Sequence, residues 1–346
     1  FPIGVTTNTF VVTDASGNTA TCSFDVTVND TQLPTITCNA PITVSNDNNV
    51  CGAAVTYTVS SADNCAGQTV AQTAGLASGS VFPIGVTTNT FVVTDASGNT
   101  ATCSFDVTVN DTQLPTITCN APITVSNDNN VCGAAVTYTV TSADNCAGQT
   151  VAQTAGLASG SVFPIGVTTN TFVVTDASGN TAACSFTVTV NDTQLPTITC
   201  NAPITVSNDN NVCGATVTYT VTSADNCAGQ TVAQTAGLAS GSVFPIGVTT
   251  NTFVVTDASG NTATCSFDVT VNDTQLPTIT CNAPIVVSND VDVCGATVTY
   301  TVTSADNCAG QTVAQTAGLA SGSVFPIGVT TNTFVVTDAS GNTATC

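Results

Sequence analysis

Aspartate and cysteine are the residues of this 346-residue chain with the number and spacing to do chemistry: 21 acidic side chains, all Asp, and 17 Cys, against no Lys, Arg or His. Carboxylates without a cationic or imidazole partner suit two tasks, binding a hard divalent cation and forming tight turns. Cysteines in even, regularly spaced sets suit disulfides. General acid–base and covalent mechanisms lack His, Lys and Glu to run on, and no cleft-building insertion accompanies any Asp pair, so the chain reads as a non-enzyme. With no cation to neutralise phosphate, nucleic acid is excluded as a partner, and the formal charge of −21 favours cations over other polyanions. No run of 18 apolar residues exists, so no membrane insertion is expected in this segment.

The elements that must position these residues recur with a fixed period. Phe-Pro-Ile-Gly begins at Phe1, Phe82, Phe163, Phe244 and Phe325, at one constant interval, and the copies are nearly identical. Within one period the pattern is that of β-strands. Thr35–Thr37, Ile42–Val44 and Val55–Val59 alternate apolar with polar, as do the stretches around Phe91 and Val93 and around Phe105, Val107 and Val109. Ser45–Asn49, Ala62–Asn64, Gly75–Gly79 and Asp95–Asn99 separate them with turn-forming residues. About seven short strands in about 80 residues predict an all-β fold, a tandem array of immunoglobulin-like antiparallel β-sandwiches, rod-like because the linkers are short. Expected domains are 1–29 as the tail of a repeat, then 30–110, 111–191, 192–272, and 273–346 cut short in its last strand. The chain opens in mid-pattern and reads as an excerpt.

Sixteen cysteines fall four per period: Cys38, Cys51, Cys65, Cys103; Cys119, Cys132, Cys146, Cys184; Cys200, Cys213, Cys227, Cys265; and Cys281, Cys294, Cys308, Cys346. Two disulfides per repeat are expected, in an oxidising extracellular setting. If Gly52–Ser60 is one extended strand, Cys51 and Cys65 lie at opposite poles, and a bridge needs Cα atoms within about 7 Å. Cys103 shares the pole of Cys65, so elimination pairs Cys38 with Cys51 and Cys65 with Cys103, and likewise Cys308 with Cys346. Cys22 is left over, its partner expected upstream of Phe1.

Phe82-Pro83-Ile84-Gly85, Thr94 to Cys103, Asp30-Thr31 with Pro34 to Cys38, and Asp63-Asn64-Cys65 together resemble the hyalin repeat, or HYR domain, along the whole chain. The resemblance implies an immunoglobulin-like extracellular module serving adhesion, with no catalytic residues to carry over. The near-identical tandem form is similar to giant surface adhesins of gliding, biofilm-forming Bacteroidetes-type bacteria.

The sharpest site expectation is Ca2+ at the inter-domain junctions. Linker, loop and turn at one pole contribute Asp30, Asp63 and Asp95, then Asp111, Asp144 and Asp176, Asp192, Asp225 and Asp257, and Asp273, Asp306 and Asp338. The preceding domain offers the turn equivalent to Asn46–Asn49. The same residues are also good turn formers, so cation binding and turn chemistry both stand. Phe82 is expected in the core, with Tyr57 at the core or its rim. The functional expectation is a stalk or filament segment of a large secreted cell-surface adhesin, contacting extracellular surfaces, polysaccharide or neighbouring copies of itself. The alternative is a repeated glycan- or protein-binding module acting by avidity. An aromatic content of 5% favours the stalk, because sugar sites stack on aromatics.

Overall fold

The computed structural model describes residues 1–346 and is built of strands, turns and bends without a helix. Contacts divide it into two units, Phe1–Ile123 with Val136–Ser161 and Val167–Thr189, and Thr124–Ala135 with Val162–Gly166 and Val190–Cys346. The division passes through the expected repeat 111–191, so the expected repeats 30–110, in the first unit, and 192–272, in the second, show the fold undivided.

The first unit opens on the hairpin of β1 (Gly4–Thr13) and β2 (Thr19–Val28), antiparallel from Gly4↔Val28 to Thr13↔Thr19. The next repeat holds eight strands: β3 (Thr35–Thr37), β4 (Ile42–Ser45), β5 (Gly52–Ala54), β6 (Ser60–Ala62), β7 (Thr69–Ala74), β8 (Val81–Pro83), β9 (Gly85–Thr94) and β10 (Thr100–Asn110). One sheet has the order β4-β10-β9-β7, with β4 parallel to β10 and the other pairs antiparallel. The short pairs β3–β6 and β5–β8 supply the other layer.

Alternation creates the core. On β9 and β10 every second residue turns inward, so Phe91, Phe105, Val107 and Val109 are buried together with Ala53, Val55 and Phe82, which is 0% exposed. Tyr57 meets Phe91 and Phe105 edge-on, at ring separations of 5.9 and 5.0 Å, and donates its hydroxyl to the Leu76 carbonyl. The second unit repeats this packing with Phe244, Phe253, Phe267, Val269 and Val271. One glycine is required by its place: Gly75 has φ +88°, and a Cβ there would overlap the side chain of Asn89, whose Oδ1 accepts from the Leu76 amide at 2.9 Å.

Val55–Val59 differs from expectation. Its side chains alternate inward and outward, yet the segment is not a ladder strand. The Ser78 hydroxyl bonds both the amide and the carbonyl of Tyr57, and Val55 pairs with Gly79 and Ser80, so an irregular partner replaces the ladder.

The disulfides correct the expected pairing. Cys38 is joined to Cys103, not Cys51, and Cys51 is joined to Cys146 of the following repeat. The pattern recurs as Cys119–Cys184, Cys200–Cys265 and Cys281–Cys346 within repeats, and as Cys132–Cys227 and Cys213–Cys308 between them. Cys308 therefore does not pair with Cys346. Cys65, Cys294 and Cys22 carry free thiols. The physical reason is twofold. β3 delivers Cys38 to the face of β10, where Cys103 sits, with Cα atoms 5.9 Å apart. The turn that carries Cys51 faces the next repeat, so its bridge closes between repeats and not inside one.

Candidate functional site

The joint after repeat 30–110 lies wholly in the first unit and begins with the turn that carries Cys51. Asp47 shapes it: its amide donates to the Gly52 carbonyl at 2.7 Å, its carbonyl accepts from the Val50 amide, and its carboxylate accepts from Ala54 N at 2.8 Å. Asn49 closes the turn at φ 60°, a conformation Asn tolerates better than most residues. The linker docks on this turn. Thr112 N donates to Asn46 Oδ1 at 3.0 Å, and Gln113 pairs with Asn49 twice, accepting from its amide at 2.8 Å and donating to its Oδ1 at 3.1 Å. From the following repeat, Asn145 Nδ2 donates to the Val50 carbonyl at 3.1 Å beside the Cys51–Cys146 bridge. Side-chain amides and one disulfide thus fasten the joint, with no ion pair. The second unit holds two joints of the same kind, with Gln194 on Asn130 and Asn226 on Val131, and with Gln275 on Asn211 and Asn307 on Val212.

Carboxylates gather directly behind the bridge. A carboxylate oxygen of Asp111, one of Asp144 and the Cys146 sulfur all lie within 4.8 Å of one another, and Asp30–Asp63–Cys65, Asp192–Asp225–Cys227 and Asp273–Asp306–Cys308 repeat the grouping. Asp111 is buried, its Oδ1 accepting from Gln113 N at 3.2 Å and its Oδ2 from Ser178 Oγ at 3.4 Å. Asp144 Oδ2 accepts from Cys146 N at 3.0 Å, while its buried Oδ1 has no hydrogen-bond partner. The same oxygen is orphaned in Asp63, Asp225 and Asp306. A buried carboxylate oxygen left bare in all four copies is costly unless something pairs with it.

Asp176, the third expected member, is engaged elsewhere. Its Oδ1 accepts from Ser178 N and Asn180 N, and its Oδ2 from Asn180 Nδ2. Asn180 in turn donates to the Asp111 carbonyl at 3.2 Å, tying turn to linker. Burial pushes the Asp176 carboxyl up, but the Asn180 side chain and amide, with the Ser178 and Gly179 amides, outweigh it and hold the group below the usual range. Asp95, Asp257 and Asp338 are depressed by the same balance. A folded-state value below the unfolded one, about 3.9, gives stability that is complete above that pH and lost as pH falls through the lower folded value. Thermal unfolding from pH 5 to pH 2 is therefore expected to show falling midpoints below about pH 4. Asp95→Asn, which stays neutral throughout, should flatten that fall in repeat 30–110; an unchanged slope would remove the turn as its source.

The structure thus brings together two of the three expected aspartates per joint and leaves the third as a turn former. Asp47 of the preceding turn bonds within that turn and to the start of β5, so the turn contributes amides to the joint through Asn46 and Asn49. Gln113, which fastens the joint, carries no charge and no motif in the sequence, and Asn145, the copy of Asn64, reads there as a turn former.

Successive antiparallel sandwiches, interlocked by disulfides across a polar joint, define a tandem-repeat β-protein of oxidising, extracellular or cell-surface surroundings. The chain belongs to the HYR domain family, a non-enzymatic one, whose model matches residues 1–28, 29–109, 110–190, 191–271 and 272–346. Among curated proteins it is 35% identical to hyalin of Strongylocentrotus purpuratus over 356 aligned positions, covering 99% of this chain and 30% of that protein. It is 30% identical to hyalin of Lytechinus variegatus, covering 99% of this chain and 67% of that one. Among solved structures, the extracellular domain of protocadherin GammaB4 aligns over 99% of this chain and 71% of its own, at 14% identity and a TM-score of 0.36.

Proposed function

We propose that the chain is a structural segment, a stalk or filament portion, of a large secreted cell-surface adhesin serving attachment or gliding, with Ca2+ held at its joints. The observation that carries this reading is the joint itself: each repeat is bonded covalently to the next through a turn and a loop that would otherwise be free for recognition. Repeats that spend their loops on one another suit spanning and transmitting force. The match to hyalin supports an adhesive context. Extracellular surfaces, polysaccharide or further copies of the chain are the partners this assigns.

Calcium fits the residues present. Asp111 and Asp144 offer hard carboxylate oxygens, one of them unpaired, and the nearby sulfur is closed in a disulfide, which disfavours soft, thiolate-seeking metals. These two residues would hold the ion, which would supply the positive charge that the protein lacks. Thermal unfolding of the whole chain is expected to shift upward with Ca2+ and back with chelator, and matched ionic strength should not reproduce it. Saturation to a hundredfold excess over Kd corresponds to about 2.7 kcal/mol per site. Asp144→Asn should remove the increment of its joint. Identical melting with Ca2+ and chelator would leave these aspartates as turn and linker residues only. Measurable affinity of single repeats for a glycan would overturn the stalk.

A further inference from the structure

The seven disulfides follow two spacings, 65 residues within a repeat and 95 residues between repeats, and neither equals the sequence period that runs from Phe1 to Phe82. That mismatch sets how far the backbone can be drawn out. Along the first set, a path crosses Cys38–Cys103, follows the chain from Cys103 to Cys119, crosses to Cys184, and continues through Cys200–Cys265 and Cys281–Cys346. Along the second, it crosses Cys51–Cys146, returns along the chain to Cys132, crosses to Cys227, returns to Cys213, and crosses to Cys308. Two separate covalent rails thus run through the array. Per repeat, the only free backbone in the first is a stretch such as Cys103–Cys119, and in the second a stretch such as Cys132–Cys146.

We propose that the chain functions as an inextensible tether, its two disulfide rails fixing a ceiling on length that holds even when a repeat unfolds. A strand reaches at most about 3.5 Å per residue, so the stretch from Cys103 to Cys119 gives about 55 Å where a full period would give about 280 Å. A β10-length strand of 11 residues already spans about 36 Å, so an opened repeat gains little. The buried core decides whether a repeat opens, and the rails decide how much length its opening releases. Either rail alone sets nearly the same ceiling, so the property survives loss of one. The proposal rests on the stalk reading for its use, although the ceiling itself follows from connectivity.

The test is single-molecule stretching of the whole chain by handles at its two ends, with Cys22, Cys65 and Cys294 alkylated beforehand. In the oxidised chain every rupture between Cys38 and Cys346 is expected to release about 20 Å, more than tenfold below the increments seen once a phosphine reductant is added to the same tethered molecule. Serine at Cys38, Cys119, Cys200 and Cys281 should leave the ceiling between Cys51 and Cys308 in place. Serine at Cys51, Cys132 and Cys213 should leave it as well, and only the combined variant should lengthen by whole repeats while oxidised. Should the variants fail to fold, reduction of the tethered wild-type chain decides alone. Full-repeat increments in the oxidised wild type, or no change on reduction, would overturn the proposal. A chain that keeps its ceiling yet binds a soluble glycan repeat by repeat would retain the tether and remove the stalk.

Discussion

Replacing Cys38 and Cys103 together by serine is expected to cost repeat 30–110 about 4 kcal/mol, the loop-closure value for a bridge enclosing some 65 residues. An 80-residue sandwich has a thin core, so a loss of that size is a large part of its stability. Cys38 and Cys103 both pack against the buried cluster of Phe82, Phe91 and Phe105, and two hydroxyls there would add a desolvation cost. Hydrogen exchange across residues 30–110 reads the effect locally, as a rise of about three orders of magnitude in the opening equilibrium of β9 and β10. The Cys51→Ser, Cys146→Ser pair provides the contrast. Its faster exchange should concentrate at Val50 and the Asp111–Gln113 linker, because that bridge joins repeats and leaves each core intact. Equal exchange profiles for the two pairs would mean that the bridges do not divide the work in this way.

Phe105→Ala and Phe24→Ala form the second test, a buried and an exposed copy of the same residue. The ten residues Thr19–Val28 and Thr100–Val109 have the same sequence, and both form the second strand of a hairpin. Phe105 is 4% exposed, under the Tyr57 ring, whereas Phe24 is 54% exposed and merely stacks on Phe10. Truncating the first should cost about 3–5 kcal/mol through lost burial and a cavity. Truncating the second should stay within about 0.5 kcal/mol. Urea unfolding of the whole chain separates them, and a comparable cost at both sites would show that Phe24 is buried in solution.

The same pair shows what a local sequence can disclose. Inward and outward alternation on β9 and β10 was legible from Phe91, Val93, Phe105, Val107 and Val109, because a two-residue period leaves one solution. Val55–Val59 carried the same signal but lost its ladder to the Ser78 hydroxyl, a contact between segments distant in the chain that no period encodes. The bridges were less legible still. Cys65 and Cys146 sit in identical surroundings, Ala-Asp-Asn-Cys-Ala-Gly-Gln, so no residue near either could say which of them Cys51 would meet. Only the packing of one repeat on the next decides it. Among the aspartates, Asp111 and Asp144 were legible as a cluster, while the engagement of Asp176 by Asn180 depended on turn geometry that also makes a good sequence motif for a ligand.

The overlapping bridges also bear on damage. Each break in the backbone between Cys38 and Cys346 falls inside at least one disulfide loop: a cut between Cys103 and Cys119 is spanned by Cys51–Cys146, one between Cys184 and Cys200 by Cys132–Cys227, and one between Cys265 and Cys281 by Cys213–Cys308. The remaining stretches lie within the loops closed by Cys38–Cys103 and its three counterparts. A protease that nicks any single peptide bond in this span therefore leaves one covalent molecule. Severing it takes a second event, a further cut or the reduction of the bridge that spans the first.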